Sequence, residues 1–344
     1  MTDSMLDEVY ERLQDSGPER DGFLSNHAPM AAEVLVCHGH LNVVHRWLDD
    51  YADRLGERPR GITPFAVAQW RDPLGDATRT GDWLNYFDRE MAGDPWRVVL
   101  ARWWPRLLPG IAAGATHGVI RVGHAVRALL QQESPARITE LGHGLAYWAA
   151  RWQPLAPPGA GPYRRTDPRT ALDAVPRVPD QRFGIRARLA QLADLPDWPA
   201  AAGAVPGDSG ADAAARLAAI VDAAVLQHST HGHGSPVMLV HAATAPNAVL
   251  RTLPALPDTQ WEPSIAAAWA ATAAVTAGYA PSRGLPAQHG NGAASVHDLM
   301  DRAVDTGDAH AIKFADTALD TYERQRDESL IAKVNYSLGL IADA

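Results

Sequence analysis

The chain has 344 residues, of which 46% are apolar and 21% are charged, and its formal net charge is −9. This composition is typical of a globular protein and excludes a disordered chain. The acidic balance excludes nucleic acid as the main partner, because neutralising phosphates needs a basic face.

Apolar residues recur at helical spacing between Pro/Gly turns, which predicts an all-α fold. We expect a single large helical domain over 1–344, with a flexible N-terminus at 1–20 and a Pro/Gly-rich covering loop at about 153–210. Predicted helices occupy 3–14, a stretch from Pro29 broken near Gly39, 82–91, 95–108, 110–132 (one helix or a pair), 140–152, 211–227, the segment MLVHAATAPNAVLRTL, about 263–278, 294–305 and 308–325. Residues 228–235 are expected to form a loop.

The acidic N-terminal stretch MTDSMLDEVYERLQDSG lacks the apolar core of a secretory signal. No apolar run reaches the roughly 18 residues that a spanning helix needs. One cysteine, Cys37, excludes an internal disulfide framework. We therefore expect a cytoplasmic protein that acts on a small molecule and has no membrane partner; its oligomeric state stays open.

Residues 110–132, GIAAGATHGVIRVGHAVRALLQQ, form the most apolar predicted segment. Its glycines permit close backbone approach or a local distortion. His117 and His124 lie seven residues apart in it, so both rings face the same way, roughly 10 Å apart along the axis. They are either two ligands of one buried site or two core histidines satisfied by carbonyls or waters. Ligation of one ion by both would stretch both rings unless the helix is distorted, which the nearby glycines permit.

The sequence has no G-x-S-x-G elbow, P-loop, H-E-x-x-H or Rossmann glycine fingerprint, so histidine chemistry is what remains. His27, just before a helix, is either a residue whose ring caps that helix with help from Asn26, or a ligand. His241 lies among apolar neighbours and needs partners for its ring nitrogens. A metal is one such partner, and a carbonyl or the hydroxyl of Thr244 is another.

Lys313 and Lys333 are the only lysines. Lys313 lies on a helix that is expected to be partly buried, where a salt bridge to Asp316 is one interpretation. In the other, desolvation lowers its pKa, and the neutral amine reacts with CO2 to give a carbamate, an oxygen ligand. His310, one turn earlier, would support Lys313.

The other histidines are expected not to bind metal. H-x-H spacing in a glycine-flanked turn is easily obtained by chance, so the groups that look like chelating pairs carry little weight. These groups are His38 and His40 with His45, and His231 with His233. The remaining ones, expected to be structural or solvent-facing, are His143, His228, His289 and His297.

Four stretches together resemble the questin oxidase-like family, which includes fungal enzymes that open anthraquinone rings. They are SNHAPMAAEVLV with RWLDDY, DPWRVVLARWWPRLLPGIAAGATHGVIRVGHAVRALL with ELGHGLAYWAARW, VMLVHAATAPNAVLRTLPAL, and HAIKFADTALDTY. They run in order from about residue 23 to 325, and the part around 153–210 carries no resemblance.

The resemblance implies an all-helical oxygenase of aromatic polyketides that uses O2 to cleave a ring of an anthraquinone or anthrone. It implies a mononuclear non-haem iron held by four histidines and a carboxylated lysine. These ligands fall on His27, His117, His124, His241 and Lys313. A shell of imidazoles and one oxyanion suits Fe(II), and ligand type alone also leaves Zn(II), Mn(II) and Cu(II) open.

Two alternatives stay open. Family members are also described as Baeyer–Villiger-type oxidases, which implies action on an aromatic ketone with NADPH as an external reductant. The third possibility is a non-catalytic polyketide-binding protein whose histidines are only buried.

The resemblance also suggests catalytic roles for Lys313, His310 and Arg121. Arg121 would hydrogen-bond a quinone oxygen or phenolate, unless it forms an ordinary salt bridge. Several tryptophans flank the histidine-rich stretches, where we expect core packing for most, although a flat polycyclic substrate would need such an aromatic lining. They are Trp103, Trp104, Trp148 and Trp152.

Overall fold

A computed structural model describes residues 2–158, 166–204, 212–287, 290 and 295–344. Over these residues the chain forms sixteen α-helices and one small sheet, which confirms the all-α fold class. None of the helices described is long and apolar enough to cross a membrane. Two compact units are present: the first unit is Met1–Pro154 with Arg251–Gln260, and the second unit is Leu155–Leu250 with Trp261–Ala344. The assignment of 1–344 to a single domain stays a prediction.

Over residues 2–154 and 251–260, the first unit contains seven α-helices and three short strands. In chain order they are α1 (Thr2–Leu13), β1 (Ser16–Arg20), β2 (Leu24–Ser25), α2 (Ala28–Cys37), α3 (Leu41–Ala52), β3 (Leu55–Glu57), α4 (Thr80–Gly93), α5 (Trp96–Leu107), α6 (His117–Gln131) and α7 (Pro135–Arg151). The residues predicted as a flexible N-terminus thus form α1 and β1. The predicted break near Gly39 is confirmed, because Gly39 adopts a φ of +80° between α2 and α3.

The sheet has the order β2-β1-β3, and both pairings of β1 are antiparallel. It was not predicted, because strands of two to five residues are too short for alternation to be visible. The sheet sets the start of α2. The backbone N–H of Asn26 donates to the Pro18 carbonyl at 2.9 Å, and its side-chain amide donates to the Gly17 carbonyl at 3.1 Å.

Helix α7 is the centre of the first unit and packs against both α6 and α4. Its residues from 140 to 150 are all buried. Gly118 permits the close approach of α6, since a Cβ at that position would lie 2.6 Å from Cβ of Trp148. Trp103, Trp104 and Trp148 are at most 1% exposed, as core packing predicts.

In its described residues, the second unit contains nine α-helices. They are α8 (Pro168–Asp173), α9 (Ile185–Ala190), α10 (Trp198–Gly203), α11 (Ala213–His231), α12 (Pro236–Thr252), α13 (Trp261–Tyr279), α14 (Val296–Asp305), α15 (Ala309–Gln325) and α16 (Ser329–Ala342). Several begin at a side-chain cap; for example, Asp212 accepts from the Ala215 N–H at 2.8 Å, and Asp308 accepts from the His310 N–H at 2.7 Å.

Three differences from the predicted elements appear in the second unit. Helix α11 continues through His231, so the expected loop at 228–235 is wrong in its first half. Helix α16 was not predicted. The segment 153–210 contains three six-residue helices besides loop, while 159–165 and 205–210 lie outside the described residues.

Side-chain hydrogen bonds to neighbouring helices hold α12 in place within the second unit. Thr272 on α13 donates to the Ala242 carbonyl at 3.0 Å. Asn247 on α12 donates to a carboxylate oxygen of Asp320 on α15 at 2.9 Å. These contacts fix the two helices that carry His241, His310 and Lys313.

Candidate metal centre

His27 immediately precedes α2 and is buried, with 4% of its surface exposed. Its ring makes no capping hydrogen bond, so the capping interpretation is wrong. The Asn26 side chain accepts from the Ala28 N–H at 2.9 Å instead, and the His27 N–H donates to the Tyr51 hydroxyl at 2.9 Å. The imidazole of His27 is therefore not used to start the helix.

His27 and His117 stack on each other in the first unit. Their ring centroids lie 4.6 Å apart with planes 17° from parallel, and they offer ring nitrogens within 4.8 Å of each other. Two protonated imidazoles would repel each other at this distance. The pair therefore suits neutral rings that share a cation or a proton.

The backbone before His117 holds that ring in place. Gly114, Ala115 and Thr116 have φ values of 56°, 54° and 64°, a left-handed run of which two members are not glycine. This turn lets Nδ1 of His117 donate to the Gly114 carbonyl at 2.7 Å. The distortion permitted by the glycines is present, but it lies before His117 rather than between His117 and His124.

The His124 ring is held by Glu33 of the neighbouring helix α2, and Glu33 also pairs with Arg127. Its Nδ1 lies 2.8 Å from a carboxylate oxygen of Glu33, and Arg127 donates to the other oxygen at 2.6 Å. Burial by itself raises the pKa of Glu33, but the Arg127 charge and the His124 hydrogen bond together lower that pKa to about 2. Burial also lowers the pKa of His124. At neutral pH a neutral imidazole thus donates to an ionised carboxylate.

The i, i+7 separation of His117 and His124 persists because both lie in the regular helix α6. Over the described part of the chain, His124 does not join His27 and His117 in a group of ligand atoms all within 4.8 Å of one another. The assignment of His124 to the same ion stays a prediction.

In the second unit, His241 on α12 is 1% exposed, and its Nδ1 donates to the Met238 carbonyl at 3.0 Å. The carbonyl alternative is thus the one observed for this nitrogen, while the Thr244 hydroxyl donates to the Val240 carbonyl. Burial lowers the pKa of His241 well below its usual value, and the charges of His310 and Lys313 lower it further.

His310 and Lys313 lie one turn apart on α15, and the supporting role of His310 stays a prediction. The rings of His310 and His241 are 5.4 Å apart and cross at 73°, and Nδ1 of His310 lies 3.4 Å from the Asp308 carboxylate. Burial raises the pKa of Asp308, but its interactions with His310 and with backbone N–H groups lower that pKa to about 2. Lys313 is 1% exposed, so a charge on its amine would be largely desolvated.

Arg121 forms the salt bridge that was the alternative to a catalytic role. Its Nε and Nη2 donate to the two carboxylate oxygens of Glu140 at 2.5 and 2.7 Å, and both side chains are buried. Nη1 is also buried and has no hydrogen-bond partner among the described residues. The proposed contact with a substrate oxygen stays a prediction.

Other histidines use their nitrogens differently. Nε2 of His143 lies 2.9 Å from Arg58, which can only donate, so this nitrogen accepts. Nε2 of His228 donates to the Pro236 carbonyl at 2.8 Å. Within the described ranges, neither they nor the H-x-H pairs belong to a group of three close ligands. His233 and His297 are exposed, and His289 lies outside the described residues.

Glu33 is the site residue that sequence reasoning missed. It is a single carboxylate inside the apolar run AAEVLV, and this placement was the available signal, because an ionised group among buried residues needs a partner. Its partners on α6 are 91 and 94 residues away, so they could not be named from spacing.

No protein-family model matches this chain, and no curated protein is significantly similar to it. The resemblance to the questin oxidase-like family stays a prediction, and the chemistry of the site rests on its own geometry.

Proposed function

We propose that this protein is a cytoplasmic non-haem iron-dependent oxygenase that uses O2 to cleave a ring C–C bond of an aromatic polyketide. The proposed iron ligands are His27, His117, His124, His241 and a carboxylated Lys313. The substrate class comes from the family resemblance, whereas support for the metal comes from how the histidines are held.

The observation that carries the proposal is a shared hydrogen-bond pattern. Nδ1 of His117, His124 and His241 each meets an oxygen that can only accept: the Gly114 carbonyl, the ionised Glu33 and the Met238 carbonyl. Nδ1 must carry the proton in all three, so the lone pair lies on Nε2. Metal-binding histidines typically have their second nitrogen fixed in this way, and the partner sets the tautomer and raises ligand basicity.

The donor set fits a divalent iron. Neutral imidazoles are good ligands for Fe(II), and one carbamate oxygen would reduce the net charge of the centre. Iron, when bound, supplies the activation of O2. The protein supplies the orientation of the rings through Gly114, Glu33 and Met238, and a buried setting that limits access of bulk water.

The proposal is tested by oxygen uptake. Protein loaded anaerobically with Fe(II) and mixed with a hydroxylated anthrone is expected to consume O2 without NADPH and to yield a ring-opened product. His117→Asn should lower the rate by at least about a hundredfold, because a ligand is lost. His143→Asn is the matched control, a buried histidine of the same unit whose Nε2 already accepts from Arg58, and it should retain activity.

The other outcomes separate the alternatives. Turnover that requires NADPH and stops at a lactone would replace this proposal with the Baeyer–Villiger reaction on an aromatic ketone. Saturable binding of the anthrone with no oxygen uptake would indicate a binding protein.

A further inference from the structure

A cavity of about 390 Å³ lies wholly within the second unit, between α8, the end of α11 and the loop that follows α13. Its size is within the range of small-molecule sites. None of the proposed iron ligands lines it, so a ligand bound there is independent of the proposed oxygenase function. The loop is held to α11 by the Leu285 N–H, which donates to the Thr230 carbonyl at 2.8 Å.

Gln227 places a buried hydrogen-bond donor in the cavity wall. The residue is 8% exposed, and its carbonyl oxygen accepts from the Thr276 hydroxyl at 3.5 Å. Its Nε2 is buried and has no hydrogen-bond partner within the described ranges. A buried amide donor left unsatisfied costs roughly 1–3 kcal/mol, which a bound acceptor would recover.

Arg177 adds a charged donor that is already held in place. Its Nε donates to the Pro281 carbonyl at 3.3 Å, and its Nη1 donates to the Val175 carbonyl. Nη2 makes no hydrogen bond with the residues that the structure describes. Arg169 and Asp173 also line the cavity, so two positive charges face one negative charge.

His231 lines the cavity with an uncharged ring. The Thr230 hydroxyl donates its hydrogen to the backbone carbonyl of Gln227 at 2.9 Å. The hydroxyl oxygen therefore accepts from Nδ1 of His231, which lies 2.8 Å away. Burial lowers the pKa of His231, and the charge of Arg177 lowers it further. The ring packs against Gly284, where a Cβ would lie 2.6 Å from its Cε1. The side chains that line the cavity therefore carry a single net positive charge.

We propose that this cavity binds a small monocarboxylate with an apolar body. The carboxylate accepts from Nη2 of Arg177 and Nε2 of Gln227, a charged and a neutral donor suited to two oxygens. The apolar body lies against the leucines of the cavity wall, which are Leu172, Leu226 and Leu285. A single excess positive charge favours a monoanion over a phosphate dianion.

The test titrates the 344-residue chain into 4-fluorobenzoate and measures the line width and chemical shift of the ligand's ¹⁹F signal. We expect saturable binding, with 4-fluorobenzamide and inorganic phosphate each at least about tenfold weaker, because each lacks the matching charge. Arg177→Met and Gln227→Leu should each weaken benzoate binding, the first by about tenfold or more. Ser282→Trp should block the cavity without removing either donor.

Arg182→Met is the matched control, because Arg182 lies on the surface of the same unit and pairs with Asp180. It should leave binding unchanged, and circular dichroism should show that all four variants are folded. No binding to the wild type would overturn the proposal. Equal affinity for the benzamide, or full binding in both the Arg177→Met and Ser282→Trp variants, would also overturn it.

Discussion

Glu33 is the side chain on which the electrostatics around His124 depend. It is fully buried and holds a histidine and an arginine at once. A buried carboxylate in such a network stabilises the fold only while it stays ionised and paired. Its lowered pKa means that the stabilisation is fully present above about pH 4.5 and is lost as the pH falls toward about 2.

Glu33→Gln is therefore expected to lower the free energy of unfolding at pH 7 by about 3 kcal/mol, because Arg127 loses its buried counter-charge. Urea unfolding at a series of pH values would measure this. The difference between wild type and variant should shrink between pH 4.5 and pH 2. Metal affinity should fall by roughly 10–100-fold, since an anchoring partner is removed.

Glu262→Gln gives the control for that comparison. Glu262 pairs with Arg216 but is 70% exposed, so the change should cost less than about 1 kcal/mol. Parallel stability curves for Glu33→Gln and wild type across the acid range would contradict the role given to Glu33.

At this scale the sequence identified candidates but not their partners. Apolar surroundings correctly predicted that His117, His124, His241 and Lys313 are buried. The interpretation that the His27 ring caps α2 with help from Asn26 was wrong, because a local sequence does not say which of two neighbours caps a helix. Hydrogen bonds such as Glu33–His124 join residues far apart in the chain, and only the folded arrangement reveals them.

At the scale of elements, the left-handed turn 114–116 is the feature that positions His117. Such φ values are unfavourable for residues with a Cβ, by roughly 1–2 kcal/mol each, and the chain adopts them at Ala115 and Thr116. Local strain of this kind is common at functional sites. The turn starts α6 at His117 and directs the Gly114 carbonyl to its ring.

Gly114→Ala should lower the free energy of unfolding by roughly 1–2 kcal/mol, because a φ of 56° is unfavourable for alanine. A Cβ there would also lie 3.3 Å from the Tyr147 hydroxyl. The midpoint of urea unfolding measures the effect. Gly93→Ala is the control, since no atom lies within 4 Å of its Cβ position, and it should change stability by less than about 0.5 kcal/mol. If Gly114→Ala left the free energy of unfolding unchanged, the left-handed conformation at residue 114 would not be unfavourable for alanine.

Helices were predictable where a 3.6-residue period coincided with a stop signal, as at Gly39. The strands were not, because β1 contains Gly17 and Pro18, residues that usually indicate a turn. The extension of α11 through His231 was also missed, since a glycine-flanked histidine pair is typical of a loop.

At the scale of the whole molecule, composition and periodicity were sufficient for the all-α class. They were not sufficient for the site, because metal ligation is a tertiary property of residues from distant helices. The five proposed ligands span residues 27 to 313, and only the resemblance connected them before the fold was known. We therefore expect these five residues to bind one iron together.

The most direct measurement is the iron content after anaerobic reconstitution with Fe(II) and removal of excess metal. We expect about one iron per chain in the wild type. His117→Asn and Lys313→Met should lose it, whereas the matched controls His143→Asn and Lys333→Met should keep it. A wild type without iron above background, or equal iron in His117→Asn and His143→Asn, would contradict the proposed centre.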